Sequence, residues 1–314
     1  MSLKETFNKQ GGWKLIHQYK KAGCLSTAIS EFVILGKSRT ALEILRLAAQ
    51  LKTKQKLFKR YETSLREFDQ TYNNSQTHES SDVVWVCWLQ GIENSPEIVK
   101  KCIESLYLHL KNKKIVLITE SNLENYVIFP DFIMQKWKAG IITNTHFTDL
   151  LRLELLTKYG GTWIDSTVFC TEDDDKIPAY FFDSDLFFYQ MLKPGRDGNS
   201  LYMSSWYMNA KSHNKILEAA KYLCYEYWKQ NDELVDYFLL HDFISIALDY
   251  YPDEWNKIVP RDNSAPHALL LRLSQEYDPK MWEAIKEQTP FHKLTYKMTI
   301  VKNGTYYYNK VLNI

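Results

Sequence analysis

The sequence predicts an α/β protein, a sheet with parallel strands flanked by helices, preceded by a basic helical module. Three observations carry this. Two short, mostly apolar runs, Val83-Val84-Trp85-Val86-Cys87-Trp88 and Lys114-Ile115-Val116-Leu117-Ile118-Thr119, read as strands covered on both faces. A helical pattern lies between them, and strand–helix–strand order implies parallel pairing. Upstream, residues 1–80 hold 14 Lys and Arg against 7 Asp and Glu, whereas the whole chain balances at +1, so the remainder is net acidic.

In chain order, Leu42, Leu45, Ala48 and Leu51, then Leu57, Phe58, Tyr61, Leu65 and Phe68, recur at helical spacing, so residues 1–70 read as helices. Lys52, Lys54, Lys56, Lys59 and Arg60 interleave with them. Residues 72–81 are polar and aperiodic, which reads as a linker and divides the chain into units 1–80 and 81–314. Pro96 suits the first turn of a helix reaching Leu110, where its missing N–H costs nothing. Asp131 to Lys138 is a short helix. Asn144 to Tyr159 is a longer one, with Asn144, Thr145 and Thr148 as capping candidates. Gly160 and Gly161 stop it and let the backbone turn tightly. Thr162-Trp163-Ile164-Asp165 continues as a buried strand and Asp185 to Gln190 as another. Residues 213–230 and 232–250 read as helices, and the tail beyond 290 is mixed.

The 314 residues suffice for one large domain or two smaller ones, and 45% hydrophobic with 25% charged is an ordinary soluble composition. No stretch approaches the ~20 apolar residues of a membrane span, and the first residues lack the apolar core of a signal peptide. Cys24, Cys87, Cys102, Cys170 and Cys224 are odd in number with no Cys-x-x-Cys pair, which fits a reducing cytoplasm better than a disulfide or zinc framework. The expected location is cytoplasmic, with at most peripheral contact at the inner face of the membrane.

Asp149 and Arg152 are three apart and share one helical face, and Asp165 follows just past the glycines. Two acids and a cation around one strand end suit a charged, hydroxylated ligand such as a nucleotide-sugar. Ligands of open α/β sheets bind beyond the carboxyl ends of the strands. Trp88, Gln90 and Gly91 after the first strand, and Thr119 and Asn122 after the second, therefore fall on the ligand side. Asp165 and Thr167 would face the same way on one strand. Two acids at that spacing would grip Mn²⁺ or Mg²⁺. Here the second position is neutral, so Asp165 would hold the metal with water and phosphate oxygens, or the metal is absent. Glu172-Asp173-Asp174-Asp175 reads as a solvated loop. His241 and Asp242, adjacent on a helix, point about 100° apart and are no obvious dyad.

Asp149-x-x-Arg152, Tyr159-Gly160-Gly161 and Trp163-Ile164-Asp165 together resemble the donor-site signature of glycosyltransferase family 32 and its bacterial branch, the capsular polysaccharide synthesis proteins. Trp88-Leu89-Gln90-Gly91, Ala210-Lys211-Ser212-His213, Gly12-Trp13-Lys14-Leu15 and Leu42-Glu43-Ile44-Leu45-Arg46 fit the same family. The resemblance thus spans most of the chain, although only the 146–169 block is specific. It implies a GT-A-like fold, a Rossmann-type mixed sheet flanked by helices. It implies a hexosyltransferase moving sugar from a UDP-linked donor, with retention, to a growing capsular or other cell-surface polysaccharide. The acceptor would be lipid-linked or an oligosaccharide.

In that reading Asp165 organises the metal–diphosphate end, with His292 as a further metal ligand. Asp149 accepts from sugar hydroxyls, and Arg152 contacts sugar or phosphate oxygens. Ser166, Thr167 and Lys297 complete the donor contacts, and Lys293 or Lys297 neutralises the departing phosphate. A diphosphate oxygen helps deprotonate the acceptor, so no dedicated base is needed. The basic helices of residues 1–70 would meet an anionic membrane surface. No nucleic-acid motif accompanies the charge, so a nucleic-acid partner is not expected. Two alternatives stay open at this level: a non-catalytic glycan- or nucleotide-binding protein of the same fold, and a nucleic-acid-binding protein acting through the basic helices.

Overall fold

A computed structural model describes residues 12–192, 200–298 and 304–313. The chain begins with three helices, α1 (Gly12–Lys21), α2 (Leu25–Leu35) and α3 (Arg39–Thr71); the part of the predicted helical module before residue 12 lies outside the described residues. The Ser38 hydroxyl accepts from the Ala41 N–H at 3.1 Å and caps α3. One stripe of α3, including Leu57, Tyr61, Leu65 and Phe68, is buried. Tyr61 meets Phe243 edge to face with ring centroids 5.5 Å apart.

The central sheet contains β1 (Val83–Cys87), β2 (Lys114–Ile118), β3 (Gly161–Ile164), β5 (Leu186–Gln190) and β6 (Met203–Ala210), in the order β2-β1-β3-β6-β5. β1 runs parallel to β2 and β3, while β6 is antiparallel to both β3 and β5. The sheet is therefore mixed and flanked by helices. These are α4 (Glu97–His109), α5 (Asp131–Lys138), α6 (Asn144–Tyr159), α7 (Lys215–Gln230) and α8 (Leu239–Tyr250), with the short α9 (Pro252–Trp255), α10 (Ala268–Arg272) and α11 (Pro279–Lys286). A second, two-stranded sheet pairs β4 (Val168–Cys170) with β7 (Phe291–Lys293) and brings the late chain back beside the end of β3.

Three elements differ from the sequence expectation. β6 was not predicted: its Ser204, Ser205 and Asn209 break the apolar run, yet the whole strand is buried. Its polar groups are used inside the sheet, as where Thr162 donates to Asn209 Oδ1 at 3.0 Å. The helix expected from 232 begins only at Leu239. Asp165 and Thr167 do not share a strand, because β3 ends at Ile164. The Val168 N–H bonds back to the Asp165 carbonyl at 2.9 Å, closing a turn over Asp165–Val168.

Gly160 and Gly161 carry φ of +65° and +94°. A Cβ on Gly161 would stand 2.4 Å from the Val83 carbonyl oxygen, so close packing of β3 on β1 excludes any side chain there. Leu57, Tyr61, Leu65 and Phe68 of α3 join the same buried cluster as Trp85 of β1 and Trp163 of β3. The change of character near residue 80 is thus a change of element type rather than a break in the core. The charge asymmetry is partly spent across the same seam: Lys54 pairs with Asp249 at 2.8 Å, Lys21 with Glu233 at 2.7 Å, and Asp69 with Lys215 at 3.0 Å.

Candidate functional site

A cavity of about 500 Å³ opens at the carboxyl ends of β1 and β3, where the fold rule places ligands. Its walls come from several places, Tyr237, His267 and Leu270 among them. Trp88 and Gln90 follow β1, and Asn144, Thr145 and Thr148 form the start of α6. Asp165, Ser166 and Thr167 make the turn after β3, and residues 293–297 follow from β7. The α6 cap is Thr143, whose hydroxyl accepts from the His146 N–H at 3.3 Å, rather than any of the three predicted candidates. The positive end of the α6 dipole therefore borders the cavity.

Beneath the floor lies a chain of charges. Arg152 Nη1 donates to Asp149 Oδ1 at 2.6 Å, and Nη2 to Asp165 Oδ1 at 3.2 Å. Trp163 Nε1 donates to the same Asp165 oxygen at 2.9 Å, and the Arg152 guanidinium lies 4.6 Å from the Trp163 ring centroid. Lys293 Nζ donates to Asp165 Oδ2 and to the Thr167 hydroxyl, each at 2.7 Å. Burial alone would raise both carboxyls, but their partners outweigh it. Asp149 is held below its ordinary range by His146, Arg152 and His241, and Asp165 by Lys293, Arg152 and Trp163.

The structure thus brings Asp149, Arg152 and Asp165 together, in different positions. Asp165 faces the cavity with 28% of its side chain exposed. Asp149 and Arg152 are buried and do not line it. They sit behind Asp165 and fix its orientation, so the direct sugar contacts expected of them are not available in this geometry. Trp88, Gln90, Ser166, Thr167 and Lys297 all line the cavity. Gly91 does not; it turns the backbone with φ +80°. Thr119 and Asn122 also lie off the cavity, because the Asn122 side chain closes the turn after β2. Its Oδ1 accepts from the Thr119 N–H at 2.8 Å and its Nδ2 donates to the Leu117 carbonyl at 2.9 Å.

His292 is a correction. Alternation along β7 turns it away from Lys293. It is fully buried against Trp282, with Nε2 3.1 Å from the Thr171 hydroxyl. Burial pushes its imidazole down to about 3. It therefore stands outside the cavity, away from the Asp165 carboxylate. The acidic run at 172–175 is also elsewhere: Asp173 meets His109 at 2.9 Å and Asp174 meets Asn112.

Sequence reasoning missed Tyr237 and Tyr296 in the cavity wall and the Trp163 N–H on Asp165. Tyr296 packs edge to face on Trp88 at 5.4 Å. The spacing of Trp163 to Asp165, two apart at a strand end, was a usable signal for the third; no local pattern marks the two tyrosines.

The side chains of the cavity do not by themselves complete a divalent-cation site. Mn²⁺ or Mg²⁺ needs several oxygen ligands at about 2.0–2.2 Å. Asp165 is the one carboxylate among the described lining residues, and the Lys293 ammonium already bridges Asp165 and Thr167. Among the described residues, no group of three or more His, Cys, Asp or Glu is placed to hold a metal.

A family model described as capsular polysaccharide synthesis protein matches residues 38–311. No curated protein matches the chain. A solved structure titled PaToxG Glycosyltransferase is similar at 13% identity, covering 63% of this chain and 77% of that chain with a TM-score of 0.39.

Proposed function

This chain belongs to the capsular polysaccharide synthesis protein family, and from that premise we propose that it is a glycosyltransferase. It moves a hexose from a nucleotide-sugar, UDP-linked by family analogy, to a lipid-linked or oligosaccharide acceptor of a growing surface polysaccharide. The observation that carries the reading is the cavity at the ends of β1 and β3, with Asp165 set in its wall between Arg152 and Lys293. Lys293, Lys297 and the start of α6 make that wall electropositive, which suits a diphosphate. Trp88, Tyr237 and Tyr296 offer ring faces to a base or a sugar.

In the retaining step the bond from the anomeric carbon to the diphosphate oxygen breaks, and its electron pair leaves with the phosphate. The acceptor oxygen bonds to that carbon on the same face, and its proton passes to a diphosphate oxygen. Asp165 orients the donor, while Asp149 and Arg152 hold Asp165 in place.

The test is product release from a panel of UDP-, GDP- and CMP-sugars by wild type and Asp165→Asn. One donor should turn over slowly, with a loss on the order of 10²-fold or more in the variant. Silence across the panel, with no thermal shift by any nucleotide, would leave a non-catalytic protein.

The acceptor side of the reading includes an anionic membrane surface, at the cytoplasmic face. Ile29 and Val33 on α2, and Ile44, Leu47 and Leu51 on α3, are exposed apolar side chains at helical spacing. Lys37 in the turn between these helices and Arg39 at the start of α3 are exposed. No described helix is long and apolar enough to cross a membrane. Co-sedimentation with phosphatidylglycerol vesicles, but not with neutral ones, and its loss in Ile29→Asp/Val33→Asp, is the expected result.

A further inference from the structure

We propose that the Lys293 ammonium stands in for the divalent cation of this site, so that the donor diphosphate is bound and released without metal. The inference rests on the proposed function and names how its leaving group is held.

The geometry comes first. Lys293 Nζ lies 2.7 Å from both Asp165 Oδ2 and Thr167 Oγ1, the two side chains where a paired-acid motif would place its metal ligands. The charge count follows. Replacing a second acid by Thr167 removes one negative charge, and the ammonium adds one positive charge in front of the acid that remains. A dication entering here would meet a cation instead of a second carboxylate. The hydroxyl at 167 is matched to this arrangement, because it accepts from the ammonium with no charge of its own.

The ammonium is also held in position. β7 pairs Lys293 with Val168, and the Leu294 N–H bonds the Thr167 carbonyl at 2.8 Å, so the turn carrying Asp165 and the strand carrying Lys293 are tied by their backbones. Two of the three ammonium donors are used on Asp165 and Thr167. The third has no partner among the described residues, and 19% of the side chain remains exposed at the cavity wall. A fixed donor of this kind meets the charge that develops on the phosphate oxygen as the sugar–oxygen bond breaks. The electron pair goes to that oxygen, and Lys293 supplies a charge-assisted hydrogen bond to it.

The measurement is calorimetric titration of the full chain with UDP and with GDP, in chelator and again in Mn²⁺, for wild type, Lys293→Met and Lys293→Arg. Wild type should bind one diphosphate equally well in both buffers. Lys293→Met should lose at least about tenfold in chelator, and Lys293→Arg should retain most of the affinity. Wild-type binding that disappears in chelator and returns with Mn²⁺ overturns the inference and leaves the proposed function standing. Unchanged affinity of folded Lys293→Met in chelator does the same. Should Lys293→Met not fold, the wild-type comparison decides. Binding of neither nucleotide in either buffer removes the proposed function and this inference together.

Discussion

Two sets of ion pairs in this molecule set a basic side chain against a carboxylate in different surroundings. Under the cavity, the Arg152 and Asp149 side chains keep only 4% and 9% of their exposure. Along the helical segment, Arg66 and Glu62 of α3 keep 63% and 39%. Lys54 and Asp249, at 9% and 43%, stand between these extremes. Water can replace a lost partner in the exposed pair but not in the buried one, where the surviving charge is stranded. Burial, more than the number of charges, decides which pairs the fold depends on.

The comparison breaks most directly at Arg152. Arg152→Ala should lower stability by about 3–5 kcal/mol, because it leaves Asp149 charged and enclosed. Chemical denaturation reads this directly, and a loss under about 1 kcal/mol would mean that the buried set behaves like the surface set.

Acid is the next lever. Burial lowers His241 to about 4 and His292 to about 3, the first partly opposed by Asp149. Both are neutral in the fold, whereas the unfolded chain takes up protons below its ordinary histidine range. The stability they contribute is therefore complete above about pH 6.5 and declines as pH falls toward 4 and then 3, by up to about 1.4 kcal/mol per pH unit for each. Asp149 and Asp165, whose carboxyls are depressed, add their loss at lower pH still. Urea midpoints at pH 7.5 and 5 should show the fall, and His241→Gln should flatten it.

Lys54→Met tests the intermediate case. It removes a pair whose far end reaches water, at a cost of about 1–2 kcal/mol. Arg66→Ala marks the small end, with a shift within about 0.5 kcal/mol that fades in high salt. A large effect there would erase the distinction.

Legibility from sequence followed the range of each interaction. The α6–β3 block was readable because its helix, glycine stop and strand are contiguous and the spacing of Asp149, Arg152 and Asp165 is local. Gly161 was readable as a turn, although the contact that forbids a side chain comes from Val83, 78 positions earlier. β6 was hidden because Ser204, Ser205 and Asn209 look solvent-facing until their partners in the sheet and around it are known. The placement of His292 failed on register. A residue type suited to metal says nothing about which face of β7 it occupies, and one step of alternation separates His292 from Lys293.

The sequence by itself determined the α/β class, the parallel β1–β2 pair, the helical character of α3 and the clustering of two acids and an arginine around one strand end. Each follows from apolar periodicity or from spacing within some 17 residues. Only the tertiary structure decided that Asp149 and Arg152 lie behind the cavity wall while Asp165 forms part of it, that α3 shares the core of the sheet, and that Lys293 closes on Asp165. Those facts depend on burial and on pairing between segments as far apart as 128 positions. No local pattern encodes them, and the last arises only when β4 and β7 meet.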